Sequence, residues 1–245
     1  MAEPRTDGSR FLISEIYKSV QGESSLVGLP TVFVRLYTCN LRCVWCDSMH
    51  AVEGGEYDEM AVEGVVRRVI ELSGEREGPR GLRCVCWTGG EPLLQWRSMA
   101  RAIGTLPEYF VHSVETDGEV PIEPLSNALH GKRVKGLLRY IMDVKCPGSG
   151  MRAKLAFENL PHLRPEDEVK FVILDRADYE FARDVVSTRT IPAETVLFSP
   201  VTPAHKVKGG LDSSKLAAWI LEDGLHVPLQ LQVHKFIWPG VERGV

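Results

Sequence analysis

Apolar residues recur along this 245-residue chain with two alternating periods. Short runs rich in β-branched and aromatic residues at 31–37 (TVFVRLY), 83–87 (RCVCW), 110–115 (FVHSVE), 140–144 (YIMDV), 168–173 (EVKFVI), 195–198 and 226–233 read as strands. Between them, apolar positions three and four apart predict helices at 62–72, 93–106, 176–187 and 213–222. No repeat, low-complexity tract or obvious linker interrupts the alternation, so a single domain spanning 1–245 is expected. Repeated strand–helix units predict an α/β fold in which helices flank a parallel sheet, either a barrel or an open sheet. About six units fit, fewer than the eight of a complete barrel. Chemistry in such folds collects at the carboxyl ends of the strands.

Composition narrows the class. With 44% hydrophobic and 25% charged residues the chain is an ordinary globular protein. Its net charge of −4 offers no general attraction to nucleic acid or to an anionic membrane, and neither is expected as a partner. No apolar run approaches the ~20 residues of a membrane span, and the polar opening MAEPRTDGSR lacks the apolar region of a signal peptide. The expected compartment is the cytoplasm. Thiols stay reduced there, so clustered cysteines point to a metal or to catalysis rather than to disulfides.

Such a cluster follows the 31–37 run. TCNLRCVWCDS places Cys39, Cys43 and Cys46 within eight residues. A closed zinc site requires a fourth ligand, for which His50 is the nearest candidate. A 4Fe-4S cluster normally takes one thiolate per iron, so three cysteines leave one iron open to another ligand. Forty residues on, TGGEP (88–92) follows a second predicted strand; paired glycines let backbone approach a ligand closely, although the same residues also suit a turn before a helix. Cys84 and Cys86 share one strand face by period two and read as buried small residues rather than ligands, and Cys146 lies outside the motif.

The spacing Cys39-x3-Cys43-x2-Cys46, with Trp45 before the last cysteine, resembles the radical S-adenosylmethionine (SAM) superfamily. The segments EIYKSVQGESSLVGLPTVFVRLYTCNLRC, CDS, TGGEP, VETDG, MDVKCPGSG, VKFVI and LQVHKFIWPGVERGV, spread over the chain, resemble the 7-carboxy-7-deazaguanine synthase family within it. That resemblance implies a shortened, partial TIM-type barrel and a homodimer. It also implies a carbon-nitrogen lyase reaction in queuosine precursor biosynthesis: 6-carboxy-5,6,7,8-tetrahydropterin becomes 7-carboxy-7-deazaguanine, with ring contraction and loss of ammonia. The implied cofactors are a 4Fe-4S cluster on Cys39, Cys43 and Cys46, SAM on the open iron, and Mg2+ at Ser48, where many relatives carry threonine. An electron donor such as flavodoxin is implied as a partner.

The resemblance further implies substrate contacts from Gln21, Gly22, Glu23, Arg35, Thr88, His234 and Val245. SAM contacts are implied from Gly90, Glu115, Asp143, Val144, Lys145, Leu174, Asp175 and, more loosely, Ser199 beside Phe198 and Pro200. Each residue type suits its role: an amide such as Gln21 meets donors and acceptors on a pterin edge, and the Arg35 fork matches a carboxylate. The tail is expected to pack, because Phe236, Ile237 and Trp238 would otherwise lie exposed together. Two other classes compete with this assignment. A radical SAM activase, which makes a glycyl radical on a partner protein, shares the triad but leaves Gln21, Arg35 and His234 unexplained. A non-catalytic zinc-binding module would hold one zinc and no iron.

Overall fold

The computed structural model describes residues 7–74, 82–131, 138–151, 153–203 and 209–245. Among the described residues eight strands form one sheet: β1 (Arg10–Val20), β2 (Pro30–Leu36), β3 (Asp58–Ala61), β4 (Cys84–Gly89), β5 (Val111–Thr116), β6 (Leu138–Asp143), β7 (Glu168–Ile173) and β8 (Thr195–Pro200). Their order is β3-β1-β2-β4-β5-β6-β7-β8. Six of them, β2 and β4 to β8, pair in parallel, while β1 lies antiparallel to both β2 and β3. The six parallel units of the sequence pattern are therefore present as a partial barrel, with β3 and β8 at its edges.

Helices α1 (Val62–Ser73), α2 (Trp96–Thr105), α3 (Glu123–Ala128), α4 (Lys154–Asn159), α5 (Arg176–Thr188) and α6 (Ser213–Glu222) connect the parallel strands or follow the last, and a short α7 (Val233–Ile237) ends the fold. The amphipathic spacing of α1 buries Val62, Val65, Val66 and Val69, and that of α2 buries Met99, Ala102 and Ile103. These stripes pack with one face of the strands: Val32 and Val34, Val85 and Trp87, Tyr140 and Met142, and Val169, Phe171 and Ile173. Because side chains alternate along a strand, the intervening residues of the same strands face the other way, into the concave side of the sheet.

Two features depart from the sequence pattern. The strand expected at 226–233 is absent: only Leu229 bridges to Phe198, and α7 begins at Val233. Phe198 bonds Pro228 O and Gln230 N, but Pro228 has no N–H to continue a ladder, and the Gln230 side chain turns to Ser24, its Oε1 accepting from Ser24 N (2.6 Å) and its Nε2 donating to Ser24 O (3.0 Å). The eleven-residue β1 was not legible as a strand. Its alternation is broken by a register shift between Ile13 and Glu15, so Ile13 and Ile16, three apart, both meet the core.

Candidate functional site

The residues facing the concave side line a cavity of about 590 Å³, a size that suits small ligands. β2 supplies Phe33 and Arg35, β4 Thr88, β5 Glu115, β6 Ile141 and Asp143, and β7 Lys170 and Val172. Register brings them level, Arg35 beside Thr88 and Asp143 beside Lys170. The β1–β2 connection folds into the same space. Gln21 Nε2 donates to Glu115 Oε1 (3.1 Å), whose Oε2 accepts from Thr88 Oγ1 (2.8 Å). Glu23, its side chain only 15% exposed, pairs with Lys170 (2.5 Å) and accepts from Gln232 Nε2 (2.6 Å). Burial opposes both charges of this pair, but mutual attraction wins: Glu23 lies below and Lys170 above its ordinary pKa.

The cysteine loop forms one rim of the cavity, following the carboxyl end of β2 as expected. Thr38, just before Cys39, holds φ 84°, a strained value for a β-branched residue. Two backbone bonds hold it there, Thr38 N to Ala51 O (2.8 Å) and Glu91 N to Thr38 O (2.8 Å). Gly90 makes that approach possible, since a Cβ on it would stand 1.9 Å from Thr38 O. TGGEP and the cysteine loop are thus locked together by backbone contact. Glu91, which the sequence reading left without a role, is fully buried and binds Leu93 N (2.9 Å), Thr116 Oγ1 (2.9 Å) and Asp117 N (2.7 Å). Burial, then the Asp117 carboxylate beside it, pushes its pKa well up.

The thiols of Cys39, Cys43 and Cys46 are free and line the cavity. Burial raises the pKa of all three, and Asp117, whose Oδ2 is 3.7 Å from Cys39 Sγ, adds to it at Cys39. Among the described residues no three His, Cys, Asp or Glu side chains converge on a position for a single ion. His50 instead stands 3.5 Å from Glu15. A trio of separate thiolate donors suits one thiol per iron of a cluster better than a closed mononuclear site. On the same wall Lys145 pairs with Asp143 (2.8 Å), and Asp143 Oδ1 is buried with no partner. Burial disfavours the Lys145 ammonium, yet Asp143, Cys43 and Asp117 raise its pKa above the ordinary value.

The far rim is built by the end of the chain. Lys235 Nζ meets Asp47 (3.1 Å) and Thr202 Oγ1 (2.6 Å), and that cation holds the Asp47 carboxyl, on the exposed edge of the rim, well below its usual range. His234 packs so closely on Gly22 that a Cβ there would lie 1.9 Å from His234 Nδ1. Burial lowers the His234 pKa and so favours the neutral ring. Trp238 and Val245 reach the cavity, but Phe236 and Ile237 are 69% and 46% exposed, so the expected packing of this segment holds for the tryptophan alone.

The radical SAM superfamily profile matches residues 34–144, from β2 to just past β6. The 7-carboxy-7-deazaguanine synthase of Koribacter versatilis (strain Ellin345) is 43% identical over 243 residues, covering 95% of this chain and 99% of that one. The chain belongs to the 7-carboxy-7-deazaguanine synthase family. The enzyme of the same name from Chlorobaculum tepidum is 35% identical over 95% of this chain and 96% of its own. The crystal structure of QueE from Escherichia coli shares the fold with a TM-score of 0.64 at 20% identity, covering 92% of this chain and 95% of that one.

Of the residues that likeness to the 7-carboxy-7-deazaguanine synthase family singles out, fifteen line the one cavity: Gln21, Gly22, Glu23, Arg35, Cys39, Cys43, Cys46, Ser48, Thr88, Gly90, Glu115, Asp143, Lys145, His234 and Val245. Four stand apart. Val144 is fully buried in the core, Ser199 is buried in β8, Leu174 donates its N–H to Asp178 Oδ2 (3.0 Å), and Asp175 caps α5 by accepting from Asp178 N (3.0 Å). The sequence reading missed Tyr17, Asp117 and Lys170, which also line the cavity. An acidic or basic residue at an alternate position of an apolar strand, such as Lys170 in EVKFVI, was the available signal.

Proposed function

We propose that this chain is a carbon-nitrogen lyase that converts 6-carboxy-5,6,7,8-tetrahydropterin to 7-carboxy-7-deazaguanine, the ring-contraction step of queuosine precursor biosynthesis. The observation that carries the reading is one cavity lined by the Cys39, Cys43 and Cys46 thiols together with Arg35, Thr88, Glu23 and His234. Cys39, Cys43 and Cys46 would hold a 4Fe-4S cluster, and Gly90, Glu115, Asp143 and Lys145 would hold SAM. When bound, these cofactors supply one-electron cleavage of the sulfonium and hydrogen abstraction from the substrate. The unpartnered Asp143 Oδ1, with the Lys145 ammonium beside it, fits a bound ligand with amino and carboxylate groups.

The protein's own part is placement. Arg35 offers its guanidinium to the substrate carboxylate, Gln21 and Glu23 face the pterin with donors and acceptors fixed by their partners, and His234, packed on Gly22, adds its ring nitrogens. Fixing one C–H bond toward the radical is the specificity required of the site. Ser48 Oγ, which donates to Asp47 Oδ1 (3.0 Å) and lines the cavity, would give Mg2+ a hard oxygen ligand. We further propose a homodimer served by an electron donor such as flavodoxin, as in the resembling family. Anaerobic incubation with SAM, reductant, Mg2+ and the carboxytetrahydropterin, followed by mass spectrometry, should yield a deazapurine from the purified chain alone. Turnover that requires a partner protein, with a glycyl radical on that partner, would replace this reading with the activase.

A further inference from the structure

Arg35 has more partners than a carboxylate-binding arginine needs. Its Nε donates to Glu15 Oε1 (2.7 Å), its Nη2 to Tyr17 Oη (2.7 Å), and its Nη1 lies 3.4 Å from Ser48 Oγ. Glu15 is only 13% exposed, and its second oxygen is also engaged. Glu15 Oε2 accepts from Gly244 N (3.1 Å) and stands 3.8 Å from Arg243 Nε, while Arg243 Nη2 donates to Ser14 O (3.4 Å). One carboxylate therefore grips, on its two oxygens, the arginine inside the cavity and the last residues of the chain.

The backbone is shaped for this grip. Ile13 and Glu15 are two apart and would share one face of a regular strand, which for Ile13 is the core. The ladder instead pairs Ile13 with Leu36 and Glu15 with Arg35, and the extra residue, Ser14, is left with a buried, unpartnered hydroxyl. A β-bulge of this kind re-aims the side chain that follows it. Here it turns Glu15 from the core toward Arg35 and the tail.

We propose that Glu15 is a positioning residue: it orients Arg35 and fastens residues 243–245 across the cavity mouth, so that substrate-carboxylate binding and tail closure are mechanically joined. The proposal rests on the reading above, in which Arg35 and Val245 meet the pterin. Glu15 itself touches no substrate.

The direct test is amide hydrogen exchange of the C-terminal peptide in the ligand-free protein. Glu15→Ala should raise exchange of that peptide by roughly tenfold or more, the loss of one charge-assisted hydrogen bond, and Arg243→Ala, which leaves the β1–β2 ladder untouched, should raise it in the same sense. In the loaded enzyme Glu15→Ala should raise KM for the pterin by a similar factor, while SAM cleavage in the absence of pterin keeps its rate. Glu15→Gln, which retains an acceptor, should recover part of both losses. Tail exchange equal to wild type in a folded Glu15→Ala and in Arg243→Ala would overturn the anchor. Deletion of Gly244 and Val245 tests the underlying reading separately: an unchanged KM on deletion removes the tail from the substrate site, whatever the exchange shows.

Discussion

Cys39 and Cys86 show how little residue type says without position. Both are thiols whose pKa burial raises, but Cys39 lines the cavity rim, whereas Cys86 lies beneath Gln21, whose Nε2 is 3.6 Å from its sulfur. Replacing Cys39 by alanine should abolish SAM cleavage and deplete reconstituted iron; Cys86→Ala should leave the iron content as it is, read by iron and sulfide analysis. Iron lost from Cys86→Ala and kept in Cys39→Ala would reverse the ligand assignment. His112 makes the same point for imidazoles. It is fully buried, its Nδ1 accepts from Trp87 Nε1 (3.3 Å), and desolvation lowers its pKa to about 3. A folded pKa below the unfolded one means that the unfolded chain takes up the proton first as pH falls. His112 therefore costs nothing above about pH 6.5, and stability declines from there toward about pH 3. Denaturation of the cofactor-free protein should show a pH slope smaller by up to about 1.4 kcal/mol per pH unit in His112→Asn across that window. Equal slopes would assign the acid sensitivity elsewhere.

At the scale of elements, the strands and their carboxyl ends were readable because each carries a local signal. Lys170 and Arg35 interrupt apolar runs at alternate positions, and Gly89 ends β4 with Gly90 directly after it. The stretch from Pro228 to α7 carried a misleading signal, because LQLQV alternates as a strand does. Its glutamines decide otherwise. Gln230 satisfies both the N–H and the C=O of Ser24, and Gln232 spans from Glu23 to Thr202 Oγ1 (2.6 Å), so beyond its single bridge to β8 this segment serves the β1–β2 connection. Gln230→Ala would leave two buried backbone groups unpaired and should cost about 1–3 kcal/mol in chemical denaturation. A loss below that range would mean that water or a shifted loop replaces the amide. Substrate KM should rise as well, because Gln21 and Glu23 lie in the same loop as Ser24, the residue that is loosened.

Across the whole molecule, the Glu23–Lys170 pair ties the β1–β2 connection to β7 on the opposite wall of the partial barrel. Lys170→Met would leave the Glu23 carboxylate buried without its cation and should destabilise the fold by about 3–5 kcal/mol. Adding Glu23→Gln to that variant should recover much of the loss, since the stranded charge is then gone. A single variant as stable as wild type would mean that the pair is solvated and does not hold the barrel closed. Stability and substrate placement are joined in this design: the charges that close the concave side also line the cavity.

The amino-acid sequence alone determined the alternation of strands and helices, the triad at the end of the first parallel strand, and the paired glycines that lock against it. These are local matters of periodicity, spacing and backbone freedom, read within a few residues. Only the tertiary structure decided which side of the sheet faces the cavity, that Gly22 meets His234 and Glu23 meets Lys170, and that Glu15 faces Arg35 instead of the core. Those pairings join positions far apart along the chain or depend on a one-residue bulge, and a bulge reverses the facing of every residue after it. Strand periodicity cannot show that reversal until the partner strand is in place.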